Sequence, residues 1–588
     1  MQSLNEKLMN LQMTPFSSRG SYIALIEKGP DTVTASDVGE VPQDGLYLKS
    51  LHGISSHAPA VARVFPTLDG EEVDYDYLVD PEMVTLNTTE GHVYFRFDVS
   101  GNLMMSTKGA GLGIGLDFIP DPKSKFDHAI QTLADGIVVN SYKTLTKYSL
   151  KLLQGQFKLQ KSSAYKNASL HPDVILISPG SDDKCQLSLA EVKHYMSWDY
   201  DKLQHAAEEA EPSSMHFHDF AERYHAAVPD DPNPEVTDLA LYTIWTCIVS
   251  PQGNLTRETI WMSNTHFPGI WTWDQAYVAL GLAGIYPKLA YDELMGPYDF
   301  QDEYGQLPGS FSDSTVRWNF SKPPVQGLVL DSFIKLQELN RKQLTECYIK
   351  IPKQIDYWLN YADLNHDGLP EYQHGNDSGY DNSTVFDKSE YVTSPDLTAY
   401  LIRSYDVLGE IAAKLGRKAD IVKWDTLAAE LTKRFVDKLV VNDLPVARDG
   451  LTSEVVDSKS QLPLAALSMG SRLPEAIRKN IIALYHSTDY LTDYGIATES
   501  TSSAKYESHS YWRGPVWPSE MANIYIALKL VHEDEFAADL AKRFCRAVIQ
   551  SGIRENFDAQ TGTGYDDTAH TWTAGAYLFF TRELFGSK

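Results

Sequence analysis

A change of hydrophobic period near residue 235 constrains this chain more than any other feature. Before it, Val93, Phe95, Phe97 and Val99 alternate with Tyr94, Arg96 and Asp98 up to the turn Ser100-Gly101-Asn102. That period of two belongs to a half-buried strand. Residues 45–50, 136–142 and 174–178 read as further strands, so residues 1–198 are expected to form a β-sandwich-like domain. Beyond 235 the apolar residues recur at helical spacing. Leu397, Leu401, Leu408, Ile411 and Leu415 line one face between the start signal Ser394-Pro395 and the stop signal Gly416. Ile421, Trp424, Leu427, Leu431 and Phe435 form a second stripe after a very short connection, which predicts two antiparallel packed helices. Helices are also predicted at 236–248, 274–284, 325–338, 343–360, 473–484, 518–531, 533–551 and 572–583. The fold class is therefore mainly α. A domain of helical hairpins spans 235–588, and the charged stretch 199–234, broken by Pro229, Pro232 and Pro234, reads as a linker with its own helix.

Composition narrows the partners. With 588 residues the chain is long enough for more than one core. Its 51 basic and 79 acidic side chains leave a net charge of -28, which repels nucleic acid phosphates and anionic membrane surfaces. A small-molecule substrate is expected, with no nucleic acid and no membrane partner; the oligomeric state is left open. Cys185, Cys247, Cys347 and Cys545 form no CxxC pair, so neither a zinc site nor a disulfide framework is signalled. Residues 1–20 lack the apolar stretch of a secretory signal, and no run approaches the ~20 apolar residues that span a bilayer. The expectation is a soluble, cytoplasmic protein.

The chemically suggestive residues fall between the predicted helices. His374-Gly375-Asn376-Asp377-Ser378-Gly379-Tyr380-Asp381-Asn382-Ser383 is a turn-forming run with two carboxylates and no aliphatic residue. Arg554-Glu555-Asn556-Phe557 leads into the glycine-rich Thr561-Gly562-Thr563-Gly564. Two acidic loops closed by glycines suggest a pair of carboxylates, as glycosidic bond cleavage requires: one protonates the leaving oxygen, and the other activates water or attacks carbon. Asp381 is the candidate acid and Glu555 the candidate second carboxylate. The plainer alternative is a helix cap at Asp381 and a solvated loop at Glu555, and Asp377, Glu499, Glu507 and Glu520 are rivals that spacing does not exclude. Between the two loops, Tyr511-Trp512-Arg513-Gly514-Pro515-Val516-Trp517-Pro518 offers aromatic faces for sugar rings and the guanidinium fork of Arg513 for hydroxyls. Trp273-Asp274 combines an indole with a carboxylate ahead of an apolar helix, where Asp274 serves either as a helix-terminal charge or as a hydroxyl ligand.

Asp363, Asn365 and Asp367 place oxygen ligands at alternate positions before Gly368, with Glu371 following. The pattern resembles the first half of a calcium loop, yet its twelfth position is His374 and not a bidentate glutamate, so an EF-hand is rejected. A single structural calcium and a plain Asn/Asp turn both remain open, and no cofactor is expected for the chemistry itself. No HExxH motif signals catalytic zinc. Arg317 and Lys322 precede Pro323-Pro324-Val325-Gln326 and offer either surface charge or a seat for an anionic group beyond the cleaved bond.

Taken in order, Trp273-Asp274, Pro323 to Gln326, Asp363 to Glu371, Asp377 to Ser383, Tyr511 to Trp517 and Glu555-Asn556-Phe557 resemble glycoside hydrolase family 63 over residues 235–588. That family includes processing α-glucosidase and bacterial relatives acting on α-glucosides, mannosylglycerate or glucosylglycerate. The resemblance implies an (α/α)6 barrel behind a β-rich domain and an inverting mechanism with Asp381 as general acid and Glu555 as general base. It implies that Trp273, Asp274, Trp512, Arg513, Gly514 and Trp517 line the site of the cleaved sugar; Gln326, Gly379 and Tyr511, from the same motifs, complete the expected substrate-binding set. It also implies a calcium beside the Asp363 loop, as in some bacterial members. The chain departs from the pattern at Asp377, where many relatives carry glutamate, and at Phe557, where tyrosine is common. The expected activity is that of an inverting exo-acting α-glycosidase, α-glucosidase-like, on small α-glucosides of disaccharide or glucosylglycerate type. An inverting phosphorylase and a non-catalytic carbohydrate-binding protein are the alternatives.

Overall fold

The computed structural model describes residues 9–27, 44–53, 60–98, 100–119, 126–133, 136–161, 174–181, 183–192 and 214–586. Its N-terminal part is built from two antiparallel sheets. One runs Ile23–Glu27, Leu46–Ser50, Ala60–Leu68, Leu112–Phe118, Val174–Ser178 and Gln156–Gln160, with Glu71–Glu72 paired to Ala60–Leu68. The other runs His128–Leu133, Gly136–Ser141, Thr146–Gln154, Gln186–Val192, Leu103–Lys108, His92–Phe97, Val84–Asn87 and Asp76–Val79. The alternation at 93–97 does what its period requires: Val93, Phe95 and Phe97 enter an apolar core with Leu116, Ile175 and Leu189, residues drawn from both sheets.

Beyond residue 234 the chain is helical, and its helices fall into two classes. Asp274–Leu282, Gln326–Leu336, Pro395–Lys414, the tighter 3-10 segment Leu462–Arg472, Pro518–Leu530 and Thr571–Phe585 touch one another in turn, and the last packs back on the first to close a ring of six. These inner segments are buried nearly all round; every residue of Asp274–Leu282 is inside. Ring closure relies on two glycines, because a Cβ on Gly281 would meet the Gly575 carbonyl oxygen at 2.4 Å. The second class lies outside and is amphipathic, as in Asp534–Ser551, which buries Phe536, Leu540, Ala541, Phe544 and Val548 and exposes the opposite face. Arg341–Tyr361, Lys418–Leu439, Glu475–His486 and Pro287–Met295 belong to this class.

Of the stretch read as a linker, residues 199–213 lie outside the described residues. The helix Ser214–Ala227 is core and not tether: Phe217 meets Tyr242 edge-on, and Phe220 stacks on Tyr286 with ring centroids 4.1 Å apart. Two of the longer helical segments, Pro287–Met295 and Leu462–Arg472, have no predicted counterpart. All four cysteines are buried and unpaired. No helix among the described residues is long and apolar enough to cross a membrane.

Candidate active site

Three inner helices present a tryptophan at their N-terminal ends: Trp273 precedes Asp274–Leu282, Trp517 precedes Pro518–Leu530, and Trp572 is the second residue of Thr571–Phe585. Their loops line an open pocket walled by Trp271, Trp273, Trp512, Trp572, Phe267 and Tyr511, with Asp274, Asp381 and Glu555 as its carboxylates and Lys322 as its ammonium. Trp512 lies flat on Trp517, with centroids 3.9 Å apart and planes 8° from parallel, so Trp517 supports the wall from behind.

Asp381 stands on an irregular loop fixed by side chains. Gly379 adopts φ 77°, and a Cβ there would meet the Trp273 ring at 2.5 Å; glycine alone gives both the left-handed turn and the indole's close approach. Asp377 accepts Ser321 N–H at 2.7 Å and Gln373 N–H at 3.0 Å, so this rival carboxylate is a backbone staple. Asn382 ties the loop to the aromatic segment: its Oδ1 accepts Trp512 N–H at 2.9 Å and its Nδ2 donates to the Ser510 carbonyl at 3.0 Å. The Asp381 side chain remains 38% exposed, with Lys322 Nζ 3.4 Å away. That ammonium also donates to the backbone and side-chain oxygens of Asn376 at 2.8 and 2.5 Å.

Glu555 stands instead in a two-stranded ladder, Arg554–Phe557 against Gly564–Thr568, at the register shift between Arg554 and Asn556, and is 4% exposed. Both its oxygens accept hydrogen bonds, from Tyr511 O–H at 2.9 Å and Asp567 N–H at 3.2 Å. Burial, with Asp567 and Asp566 adding negative charge, pushes its carboxyl well above the usual range. Tyr511 reaches it from a left-handed backbone conformation, φ 54°, which is strained for a tyrosine and is held by Trp517 Nε1 donating to the Tyr511 carbonyl at 3.0 Å. Asp567 is itself buried and also accepts the Thr265 hydroxyl; although burial opposes its charge, His266 at 2.9 Å and the Ser263 hydroxyl hold its carboxyl below the usual range.

Asp274 is a third, distinct carboxylate. Burial raises it to about 8 against the pull of Lys322, and its Oδ2 is buried with no hydrogen-bond partner among the described residues. It stands at the first turn of an inner helix, where an unpartnered buried oxygen can accept a hydrogen bond.

Some residues expected at the sugar do something else. Arg513 spends its fork on the Asn382 carbonyl at 2.7 Å and Asp387 at 2.5 Å, outside the pocket lining, and so locks two loops together. Gln326 is buried behind the wall, donating to the Thr272 carbonyl at 2.7 Å. Gly514 packs under the Glu507 carbonyl, where a Cβ would come within 2.5 Å. Of the remaining rivals, Glu499 is tied to Thr384 and Ser503 away from the lining, Glu507 is exposed, and Glu520 lies deep in the helix ring. Arg317 lies over the Trp271 ring at 5.8 Å and outside the lining. Phe267, His570 and Trp572 line the pocket without having been singled out from sequence. Burial pushes His570 down to about 4, so it is a neutral imidazole, and its Nδ1 has no partner among the described residues.

In the Asp363 loop, carboxylate oxygens of Asp363, Asp367 and Glu371 converge within 4.8 Å of one another. Burial, followed by the neighbouring Asp363 and Asp367, raises Glu371 to about 7. Asn365 Oδ1 accepts Asp367 N–H at 2.9 Å on the inner side of the turn, and Lys438 Nζ lies 3.0 Å from Asp367.

Residues 267–573 match the family model for the mannosylglycerate hydrolase MGH1-like glycoside hydrolase domain. The mannosylglycerate hydrolase of Rubrobacter radiotolerans is 22% identical over 401 residues, 53% of this chain and 90% of that protein. A solved structure of family 63 mannosylglycerate hydrolase from Thermus thermophilus with glucose superposes with a TM-score of 0.50 at 21% identity, covering 59% of this chain and all of that one. A bacterial glucoamylase with acarbose superposes over 98% of this chain and 94% of its own, with a TM-score of 0.59 at 11% identity. The family match thus lies within the helical domain, whereas the glucoamylase likeness of fold extends across the β domain too.

Proposed function

The chain belongs to the mannosylglycerate hydrolase MGH1-like glycoside hydrolases of family 63, and we propose that it is an inverting exo-acting α-glycosidase working in an (α/α)6 barrel. The observation that carries this reading is the meeting of Asp381 and Glu555 in one pocket walled by four indoles. Asp381, half exposed at the rim, protonates the leaving oxygen. Glu555, dry and fixed at both oxygens, takes a proton from the water that attacks the anomeric carbon. Its two donors, Tyr511 O–H and Asp567 N–H, suit a carboxylate that must be ionised to act. Trp273 and Trp512 receive the sugar faces, while Asp274 takes a hydroxyl and exchanges an unpartnered buried oxygen for a hydrogen bond.

One observation favours exchanging the two roles: the burial that raises Glu555 favours its acid form. The two readings differ in which limb of the pH profile belongs to Glu555. As base it must lose its proton, so activity rises as pH climbs through its raised value; as acid it must keep the proton, and activity falls there instead.

We propose α-glucosides and glycosylglycerates as the substrates to test first, the latter because the relatives are named for mannosylglycerate. A screen of α-linked disaccharides, glucosylglycerate and mannosylglycerate, with and without inorganic phosphate, decides the matter. Phosphate-independent release of the free sugar supports hydrolysis. A sugar phosphate formed only with phosphate would make the chain a phosphorylase, and no turnover of any substrate would leave it a binding protein.

We further propose that Asp363, Asp367 and Glu371 hold one calcium ion, with Asn365 shaping the turn. Three converging carboxylate oxygens suit a hard cation, which would also relieve the repulsion that Asp363 and Asp367 add to burial at Glu371. Its service is to stiffen the loop that leads to Asp381.

A further inference from the structure

We propose that His52 of the β domain is a positioning residue of the active site: it clamps the tip of the 310–317 hairpin and so sets the place of Trp271 in the pocket wall. His52 and Glu191, its partner within the β domain, both lie outside the stretch matched by the family model. The kinetic part of this inference rests on the glycosidase reading; the structural part does not.

The clamp is a buried three-part contact. His52 Nδ1 lies 2.7 Å from Asp313 Oδ2, and its Nε2 lies 2.9 Å from Glu191 Oε2. Asp313 is at the tip of the hairpin formed by Ser310–Phe311 and Val316–Arg317. Tyr22 stacks on the imidazole with centroids 4.6 Å apart. The groups facing the ring are thus Asp313, Glu191 and Tyr22, with Tyr148 coupled to Glu191. Two carboxylates on one imidazole require a cation between them. Burial opposes that charge, but Glu191 and Asp313 outweigh it and raise His52 to about 10.

The neighbouring residue seals the contact. Gly53 N–H donates to Asp313 Oδ1 at 2.9 Å, while the hydroxyls of Ser312 and Thr315 donate to the Gly53 carbonyl at 2.9 and 2.8 Å. A Cβ on Gly53 would meet the Ser312 Cβ at 2.2 Å and the Pro268 carbonyl oxygen at 2.5 Å, so the two segments touch too closely for any side chain at 53.

The hairpin transmits this hold to the pocket. Ser310 pairs with Trp271 and Phe311 with Ile270 in a small antiparallel sheet, and Thr272 N–H donates to the Gly309 carbonyl at 3.1 Å. Trp271 lines the pocket beside Asp381 and Glu555 and meets Phe267 edge-on at 5.2 Å. Arg317, on the returning strand, lies over the Trp271 ring at 5.8 Å and donates to Ser310 Oγ at 3.2 Å. A displaced hairpin therefore carries the indole with it. Trp271 bears no reacting atom, so its displacement weakens ground state and transition state alike.

The experiment is His52→Gln in the full chain, with Asp313→Asn as the second variant. Amide hydrogen exchange of residues 309–317 and 268–273 is measured alongside kcat and KM on the substrate the screen identifies. Glutamine donates to one carboxylate but not to both, leaving Glu191 and Asp313 opposed. The expected result is exchange at least tenfold faster, confined to those two segments, with KM raised about tenfold and kcat within twofold. Asp313→Asn, which keeps the shape and removes one charge, should show the same pattern more weakly. Unchanged exchange in a folded variant, a uniform rise across the molecule, or a loss carried by kcat alone would overturn the proposal. Should His52→Gln fail to fold, Asp313→Asn decides by the same criteria. If the wild-type protein turns over no glycoside, the functional reading fails while the exchange pattern still decides the clamp.

Discussion

Two of the pocket's three carboxylates, Asp381 and Glu555, are held in opposite ways. Asp381 stands on an irregular loop, half exposed, in a place set by side-chain staples from Asp377, Asn382 and Arg513. Glu555 stands in a strand ladder, buried, with both oxygens engaged. The difference fits the two tasks proposed for them. A proton donor must meet leaving groups of varied shape and recover its proton from solvent, which exposure on a loop permits. A base that aims one water at one carbon needs a fixed, dry seat.

Removing each proposed proton-transfer group in turn puts this contrast under the greatest strain. Asp381→Asn and Glu555→Gln should each lower turnover by ~10²- to 10⁴-fold while melting within a few degrees of wild type. Near-normal turnover in either folded variant removes that residue from the chemistry.

The next effect concerns the acid loop alone. If calcium braces it, chelation should lower the melting temperature and faster exchange should begin at residues 363–381, leaving the Arg554–Phe557 ladder unchanged. At calcium a hundredfold above its dissociation constant the stabilisation is about 2.7 kcal/mol. Metal analysis that finds no calcium after purification in its presence would end this claim.

Gly379→Ala probes the same loop more gently. The left-handed φ and the Trp273 ring together should take about 1–3 kcal/mol from stability and shift Asp381 out of line. The corresponding probe of the base is Tyr511→Phe. It removes a hydrogen bond that favours the ionised Glu555, so the acidic limb of kcat/KM should move up by about one pH unit. Movement of the alkaline limb instead would exchange the roles of the two carboxylates.

How legible the molecule was in its sequence varied with the physics of each part. Strands and amphipathic helices declared themselves because one face meets water, which imposes a period on the residues, and the buried inner helices showed as apolar stretches behind start signals such as Ser394-Pro395. Leu462–Arg472 went unpredicted because it winds in 3-10 turns and breaks at Gly470. In the pocket, the loops of Asp381 and Glu555 stood out through their glycines. Arg513 did not reveal its task, since a guanidinium fork serves a sugar and the Asn382 carbonyl with Asp387 equally well, and tertiary structure makes the choice. His570 and Trp572 were hidden in an apolar helix start; their signal was its likeness to Trp273, a tryptophan at the mouth end of another inner helix.

In the proposed mechanism Glu555 directs a water at the anomeric carbon from the face opposite the leaving group, with Asp381 on the other side. An inverting pair stands about 6.5 to 9.5 Å apart, leaving room for that water, whereas a retaining pair stands at about 5 to 5.5 Å. Proton NMR of an α-glycoside digest, recorded before mutarotation, reads the outcome directly. Inversion delivers the β-anomer as the first-formed sugar, and this is the expected result; the α-anomer in its place would refute the mechanism and make Glu555 a nucleophile or a bystander.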